Sequence, residues 1–425
     1  MEYSDRARVF LTAHGMEPER FPLRDATAAF IGEMELGLAG QKSSLDMIPT
    51  WLSAGTIEPG RRAAVIDAGG TNFRAGSVLF TEEGAVIERC ERSAMPGTSG
   101  SATWDEFEDF AAAQIAPMLE GAEGIGFCFS YRATITPERD GEVIRMSKGV
   151  DLRGYEGRYI CADLKAALAR RGAPDVPAVL VNDTAAVLLA GAGDVRAHGY
   201  DGLVGLICGT GQNTCCVVDT GKIGKLGLPA GGNMLVNLES GCFDGWPQGD
   251  YDRELDANTN NPRDHLLEKM TSGAYLGELC RLTLRGAARD GLFSPAGADT
   301  ALGLATLTSA EADAMACGAP GPFADEADAA LAGELCLAIF DRAARCVCAN
   351  LSAILVLTDC GADAAHPACV SADGSVIRFS RAFRGNLEAR LADFTAGVLG
   401  RHCVIRTQEE ATTLGSAAAA LLNLK

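Results

Sequence analysis

The chain has 425 residues, 47% hydrophobic and 22% charged, a globular composition long enough for two cores rather than one. A net charge of −19, with no block rich in Lys or Arg, excludes a nucleic-acid or anionic-membrane surface as the principal partner. It leaves room for a local pocket that takes an anionic nucleotide.

The 15 Cys are scattered, mostly in apolar surroundings, and no C-x-x-C occurs. His366-x-x-Cys369 is the one pair near zinc spacing, with no second pair close by. This usage reads as buried, reduced thiols of a cytoplasmic protein. The opening MEYSDRARVFL has no apolar signal core, and no run of apolar residues is long enough to span a bilayer.

Residues 1–55 carry a helical pattern, with Phe30, Met34 and Leu38 at about helical spacing and Pro49-Thr50 at its close. The apolar run Ala63 to Ile66 reads as a buried strand. Asp67, the turn Gly69-Gly70-Thr71 and a returning strand, Phe73 to Phe80, follow. Trp104 to Ile115 is an amphipathic helix with Phe107, Phe110 and Ile115 inward, stopped by Pro117. Ile125 to Ser130 is a strand, Asp163 to Arg171 a helix, and Ala178 to Val181 a strand that runs through Asn182-Asp183-Thr184 into the helix ending at Ala190. Gly191 to Gly202 is the candidate domain crossing.

The pattern then restarts. Leu203 to Cys208, the turn Gly209-Thr210-Gly211 and Thr214 to Val218 repeat the first hairpin's plan about 140 residues later. Helices are expected over Leu266 to Arg285 and Asp325 to Leu351, the latter with Leu331, Leu335, Ile339 and Val347 on one stripe. Val370 to Phe379 reads as a hairpin around Asp373-Gly374, and Gly415-Ser416 enters a last helix from Ala417 to Leu422.

Two glycine-hydroxyl turns, each closing a strand pair, suit a grip on the two ends of a polyphosphate, because backbone N–H groups approach phosphate closely there. Asp67 stands where it could hold Mg²⁺ through water. Asp183 ends a strand and starts a helix, where open α/β sheets place functional groups. It can be read as a general base or as a helix cap. Lys148, in Ser147-Lys148-Gly149, can be read as a partner of transferred phosphoryl charge or as a solvated lysine.

From about residue 60 to the end the chain resembles the hexokinase family in its eukaryotic-type branch. Asp67-Ala68-Gly69-Gly70-Thr71-Asn72-Phe73-Arg74 is similar to the first phosphate motif, Gly209-Thr210-Gly211-Gln212-Asn213 to the second, and Asn182-Asp183-Thr184 to the segment of the catalytic base. Ser147-Lys148-Gly149, Val236-Asn237-Leu238-Glu239, Tyr251-Asp252-Arg253, Glu268-Lys269-Met270, Ala372-Asp373-Gly374-Ser375 and Gly415-Ser416 follow in order.

The resemblance implies two ribonuclease-H-like (actin-like ATPase) domains hinged around a cleft. It implies a small domain over 60–195 completed by 408–425, and a large one over 1–59 and 196–407. It implies a monomer or homodimer that moves the ATP γ-phosphoryl to the 6-hydroxyl of a hexose, with Mg²⁺. By that implication Asp183 is the base, Lys148 assists, and Ser130, Ser147, Lys148, Asn182, Asp183, Asn237 and Asp290 contact sugar. Asp67, Gly69, Gly70, Thr71, Asn72, Arg74, Gly209, Thr210, Gly211, Asn213, Gly415 and Ser416 hold nucleotide, and Asp67 the metal.

The departures fall at the sugar. Ala257, followed by Asn258, stands where the family has a sugar-binding glutamate, and Asp290 matches a second one. Ser130-Tyr131-Arg132 replaces Ser-Phe-Pro. A sugar hydroxyl left unpaired costs about 1–3 kcal/mol. Glucose is the first expected substrate, with mannose, fructose or an N-acetylhexosamine as alternatives. Two other readings are a non-catalytic sugar sensor and a bacterial-type, repressor-related sugar kinase, whose clustered Cys/His zinc motif His366 and Cys369 do not reproduce.

Overall fold

A computed structural model describes residues 3–146, 149–192 and 198–424 of the chain. It opens with α1 (Asp5–Ala13), capped by Ser4, and α2 (Leu23–Leu38), then β1 (Ile48–Pro49). The first half builds a five-stranded sheet from β2 (Arg62–Gly69), β3 (Asn72–Thr81), β4 (Gly84–Ala94), β5 (Ile125–Phe129) and β6 (Ala178–Val181), in the order β6-β5-β2-β3-β4. The β2–β4 meander is antiparallel, whereas β5 and β6 run parallel to β2. Parallel strands need crossovers. These are α3 (Trp104–Ile115), with a Thr103/Glu106 capping box, and α4 (Ile160–Arg170). Phe107 and Ile115 of α3 are buried as expected, while Phe110 is only half-buried. After β6, α5 (Asp183–Ala190) begins at once.

The second half repeats this plan. Its strands are β7 (Leu203–Cys208), β8 (Gln212–Asp219), β9 (Asn233–Asn237), β10 (Ala368–Asp373) and β11 (Cys403–Thr407). With β1 added at the edge they form a six-stranded sheet, ordered β1-β9-β8-β7-β10-β11. Again three antiparallel strands lie beside two parallel ones. Between β9 and β10 come α6 (Asp250–Ala257), α7 (Leu266–Thr271), α8 (Leu276–Arg289) and α9 (Glu326–Thr358). After β10 come α10 (Ser375–Phe379) and α11 (Arg381–Arg390), and β11 leads into α12 (Ala411–Leu422).

Three sequence expectations change. The hairpin expected over Val370 to Phe379 is a strand, a turn and a helix: Gly374, at φ 117°, carries the chain over the Cys208–Gly209 backbone, where a Cβ would sit 2.5 Å from Cys208 O. The helix expected over Leu266 to Arg285 breaks between Thr271 and Leu276. There Gly273 N–H donates to Gly209 O at 2.6 Å and Ala274 N–H to Thr210 O at 3.3 Å, so tertiary bonds replace helical ones. Helix α9 runs on to Thr358 and is buried all round over its middle, not along one stripe.

The last helices tie the halves together. Helix α5 packs on β7, β8 and β10 of the second sheet, and α12 packs on β2 and β5 of the first. The two helices also pack on each other, so closely that a Cβ on Gly415 would meet Ala186 O at 1.7 Å. Burial is densest under the second sheet, where Arg342 and Asp252 form a doubly hydrogen-bonded pair at 2.6 and 2.8 Å, both almost fully buried.

Candidate active site

The two glycine turns each end an antiparallel strand pair, one in each sheet. In the first, Gly69 pairs with Asn72, leaving Gly70 (φ 63°) and Thr71 at the tip. Tyr131 donates its phenol hydrogen to Gly70 O and pins that tip. In the second, Cys208 pairs with Gln212 around Gly209-Thr210-Gly211. Gly209 packs against Gly374 and Ser375, which need its missing Cβ, and Gln212 N–H donates to Glu268 Oε2 at 3.0 Å. Thr71, Asn72 and Thr210 are exposed, as residues that meet a mobile ligand need to be.

Asp67 stands near the end of the buried run of β2, close enough to the β6–α5 junction to feel the charge of Asp183. It is 7% exposed, and a Cβ added to Gly69 would stand 3.0 Å from its Oδ1 and 3.7 Å from Ser130 Oγ. Burial, only partly offset by Arg74 and reinforced by Asp183, raises its carboxyl from 3.8 to about 6. Such a carboxylate, short of cations, fits a role beside a divalent metal. Arg74 does not stand free: its Nη1 lies 3.4 Å from Asp67 Oδ2 and 3.2 Å from Glu410 Oε2, and Arg92 holds the other oxygen of Glu410.

At the junction Asn182 takes the cap, its Oδ1 accepting from Thr184 N–H at 2.9 Å. Asp183 Oδ1 accepts from Thr184 N–H at 2.7 Å and from its hydroxyl at 3.2 Å. Its Oδ2 takes no partner among the described residues, the condition for accepting a proton from elsewhere.

Across from it, Asn213 Nδ2 donates to Asn237 Oδ1 at 2.8 Å, and Asn237 Nδ2 donates to Glu239 Oε1 at 2.7 Å. Glu239 was not among the expected site residues. It adopts a left-handed backbone (φ 56°), and its carboxyl is raised by burial, with Asn237 opposing and Asp183 adding to the rise. The signal was present: a buried strand ending in Asn237 and then an acid. Glu268, also missed, is quoted in the motif Glu268-Lys269-Met270.

Three expected site residues are placed differently. Asp290 caps α8 and gives its Oδ2 to His14 Nε2 at 3.0 Å, while Asp250 holds His14 Nδ1 at 2.8 Å. That oxygen helps His14 tie α1 to α6 and α8, and the Asp290 side chain remains about half exposed. Gly415 serves helix packing, and Ser416 is fully buried with its hydroxyl donating to Thr412 O at 2.6 Å. Ala257 ends α6, and the Asn258 amide donates to Glu254 O at 2.9 Å. Ser147 and Lys148 lie outside the described residues.

Among the described residues none of the 15 cysteines forms a disulfide. Among the described residues no helix is long and apolar enough to cross a membrane.

Hexokinase family profiles match residues 12–193 and residues 203–422. Hexokinase-3 of Oryza sativa subsp. japonica is 34% identical over 288 residues, 63% of this chain and 55% of its own length. Hexokinase-1 of Nicotiana tabacum is 33% identical over 293 residues, 64% of this chain and 58% of its own. The aligned region thus spans a little over half the length of these relatives. The hexokinase of Schistosoma mansoni complexed with glucose shares the fold with a TM-score of 0.73, 21% identity and coverage of 99% of this chain and 100% of that one. A second hexokinase crystal structure gives 0.81 at 21% identity, over 98% and 99%. The chain belongs to the hexokinase family, and its fold is the two-domain, actin-like α/β architecture of sugar kinases.

Proposed function

We propose that this chain is an ATP-dependent hexokinase that transfers the γ-phosphoryl group to the 6-hydroxyl of a hexose, glucose first. The observation that carries the reading is Asp183, held by α5 through one carboxylate oxygen with the other unpartnered among the described residues. The sugar O6–H passes its proton to Asp183 as the O6–P bond forms and the bond to the departing ADP oxygen breaks. Asn182, Asn237 and Ser130 orient the sugar, with Ser147 and Lys148 assigned from sequence. The N–H groups and hydroxyls of Gly69, Gly70, Thr71, Asn72, Gly209, Thr210, Gly211 and Asn213 hold phosphates. Asp67 is the residue that would hold Mg²⁺, which when bound neutralises phosphate charge.

Such transfer is mostly positioning and electrostatics. Closure of a small domain (60–195 with 408–425) on a large one (1–59 with 196–407) would exclude water as a competing acceptor. The reading includes a cytoplasmic monomer or homodimer.

A second reading has one observation in its favour. A cavity of about 80 Å³ opens beside Asn182, Asn237 and Glu239, with apolar walls from Ile48, Phe129 and Leu180. It suits an acyl group on the sugar, hence an N-acetylhexosamine.

A coupled assay of ADP formation over glucose, mannose, fructose and N-acetylglucosamine with Mg-ATP tests both. Turnover of glucose supports the first, and turnover of N-acetylglucosamine alone the second. Turnover of none, with sugar binding retained in calorimetry, replaces both with a sugar sensor.

A further inference from the structure

The loop ahead of α7 gathers a ligand set that phosphoryl transfer does not use. Cys242, Asp264 and His265 each bring a donor atom within 4.8 Å of the others. His265 Nδ1 lies 2.8 Å from Asp264 Oδ1, yet that ring nitrogen is buried and makes no hydrogen bond. Two unlike donors face each other without the geometry to satisfy one another, which an ion shared between them would resolve.

The loop is built to hold this shape. Arg263 and His265 both have left-handed backbones, at φ 66° and 51°. The nearly buried Lys269 donates to Asp256 Oδ1 and to Asn261 O, each at 2.7 Å. Asp256 in turn accepts from Arg263 N–H through both oxygens at 3.0 Å. The surroundings are anionic: Glu239, Asp264, Asp46 and Glu268 all lie close enough to Cys242 to act on it electrostatically.

We propose that Cys242, Asp264 and His265 bind a zinc-like divalent cation at the lip of the cleft. One thiolate, one imidazole and one carboxylate are a borderline-soft set that suits Zn²⁺ and leaves a fourth position for water. Mg²⁺ prefers six oxygen ligands and does not compete for it. On binding, the Cys242 S–H bond breaks, its proton goes to solvent and the sulfur lone pair bonds the metal. No oxidant or reductant is needed. The Ser240–Cys242 turn follows Glu239 directly, and Glu239 holds Asn237.

Titrating the 425-residue chain with Co²⁺, without sugar or nucleotide, tests the site. The expected result is a saturable thiolate-to-cobalt charge-transfer band, about one proton released per metal, and displacement by Zn²⁺. Cys242→Ser abolishes the band, and His265→Gln weakens Co²⁺ binding about ten-fold or more. The absence of a saturable band overturns the site. So does a band unchanged in both variants, which would place the metal on other thiols such as the exposed Cys90 or Cys317. If Cys242→Ser does not fold, His265→Gln, on a half-exposed loop, decides alone. Because no turnover is read, an inactive kinase leaves the metal result standing.

Discussion

The two halves of the molecule lay the same meander beside the same pair of parallel strands, and each ends its last strand at a helix that crosses to the other sheet. They part at that junction. In the first half Asn182 caps α5, and Asp183 keeps one oxygen without a partner among the described residues. In the second, Glu410 precedes α12 and is gripped by Arg74 and Arg92. One topology brings an acid to the junction twice, once held by two arginines and once with an oxygen that has no partner among the described residues.

That contrast can be broken at its strongest point. A positioned base contributes about 10²–10⁴ in rate. Asp183→Asn is expected to lower kcat by that factor with hexose affinity, measured by calorimetry, within a few-fold. Glu410→Gln is expected to leave kcat within about ten-fold, since pairing with arginine makes a carboxylate a weaker base. Equal losses in both variants would mean that the pairing does not separate the two acids.

The halves also differ in how they bury charge. The second encloses Arg342 with Asp252 and Lys269 with Asp256. Asp252→Ala leaves Arg342 buried and uncompensated, at an expected cost of about 3–5 kcal/mol in denaturant unfolding. The first half leaves Asp67 short of cations. Its carboxyl rises from 3.8 to about 6, so the protonated form is the one the fold prefers. The associated stability is full below about pH 4 and lost as pH rises through about 6. Asp67→Asn should therefore raise stability at pH 7 by up to about 3 kcal/mol and flatten its pH dependence between those values, while activity falls. A variant less stable at pH 7 would show that Arg74 outweighs the burial.

Much of this was legible. The hairpins at Ala63 to Phe80 and Leu203 to Val218, the helix from Trp104 and the Asn182 cap all follow from local patterns of period, glycine and cap. What stayed illegible depends on distant partners. Gly374 turns because the Cys208–Gly209 backbone lies beneath it. The break at Ser272 depends on carbonyls about sixty residues away in sequence. Asp290 is claimed by His14, and Gly415 by Ala186, choices no local window contains. Helix α9 hides its stripe because nearly every face is covered. The resemblance carried the reading of Asp183 further than its neighbours could, since a cap and a base look alike in sequence. It also led to Gly415 and Ser416, which the structure gives to packing.

The smallest expected effect concerns the first half's other buried acid. Glu108 of α3 is 1% exposed, and both of its oxygens are buried without a hydrogen-bond partner. Burial, followed by Asp163, raises its carboxyl well above the usual range, with Arg158 only partly opposing. Burial thus favours its neutral form, which still carries the cost of unsatisfied polar atoms, about 1–3 kcal/mol. Glu108→Leu exchanges those atoms for apolar contact with the core beneath β2 and β5, at a similar volume. The expected gain is about 1 kcal/mol, read as a higher denaturation midpoint with no change in slope. Because α3 lies across the sheet from α12, kcat is expected to stay unchanged. A loss of stability would mean that Glu108 holds a polar partner, and that the first half satisfies its buried charge after all.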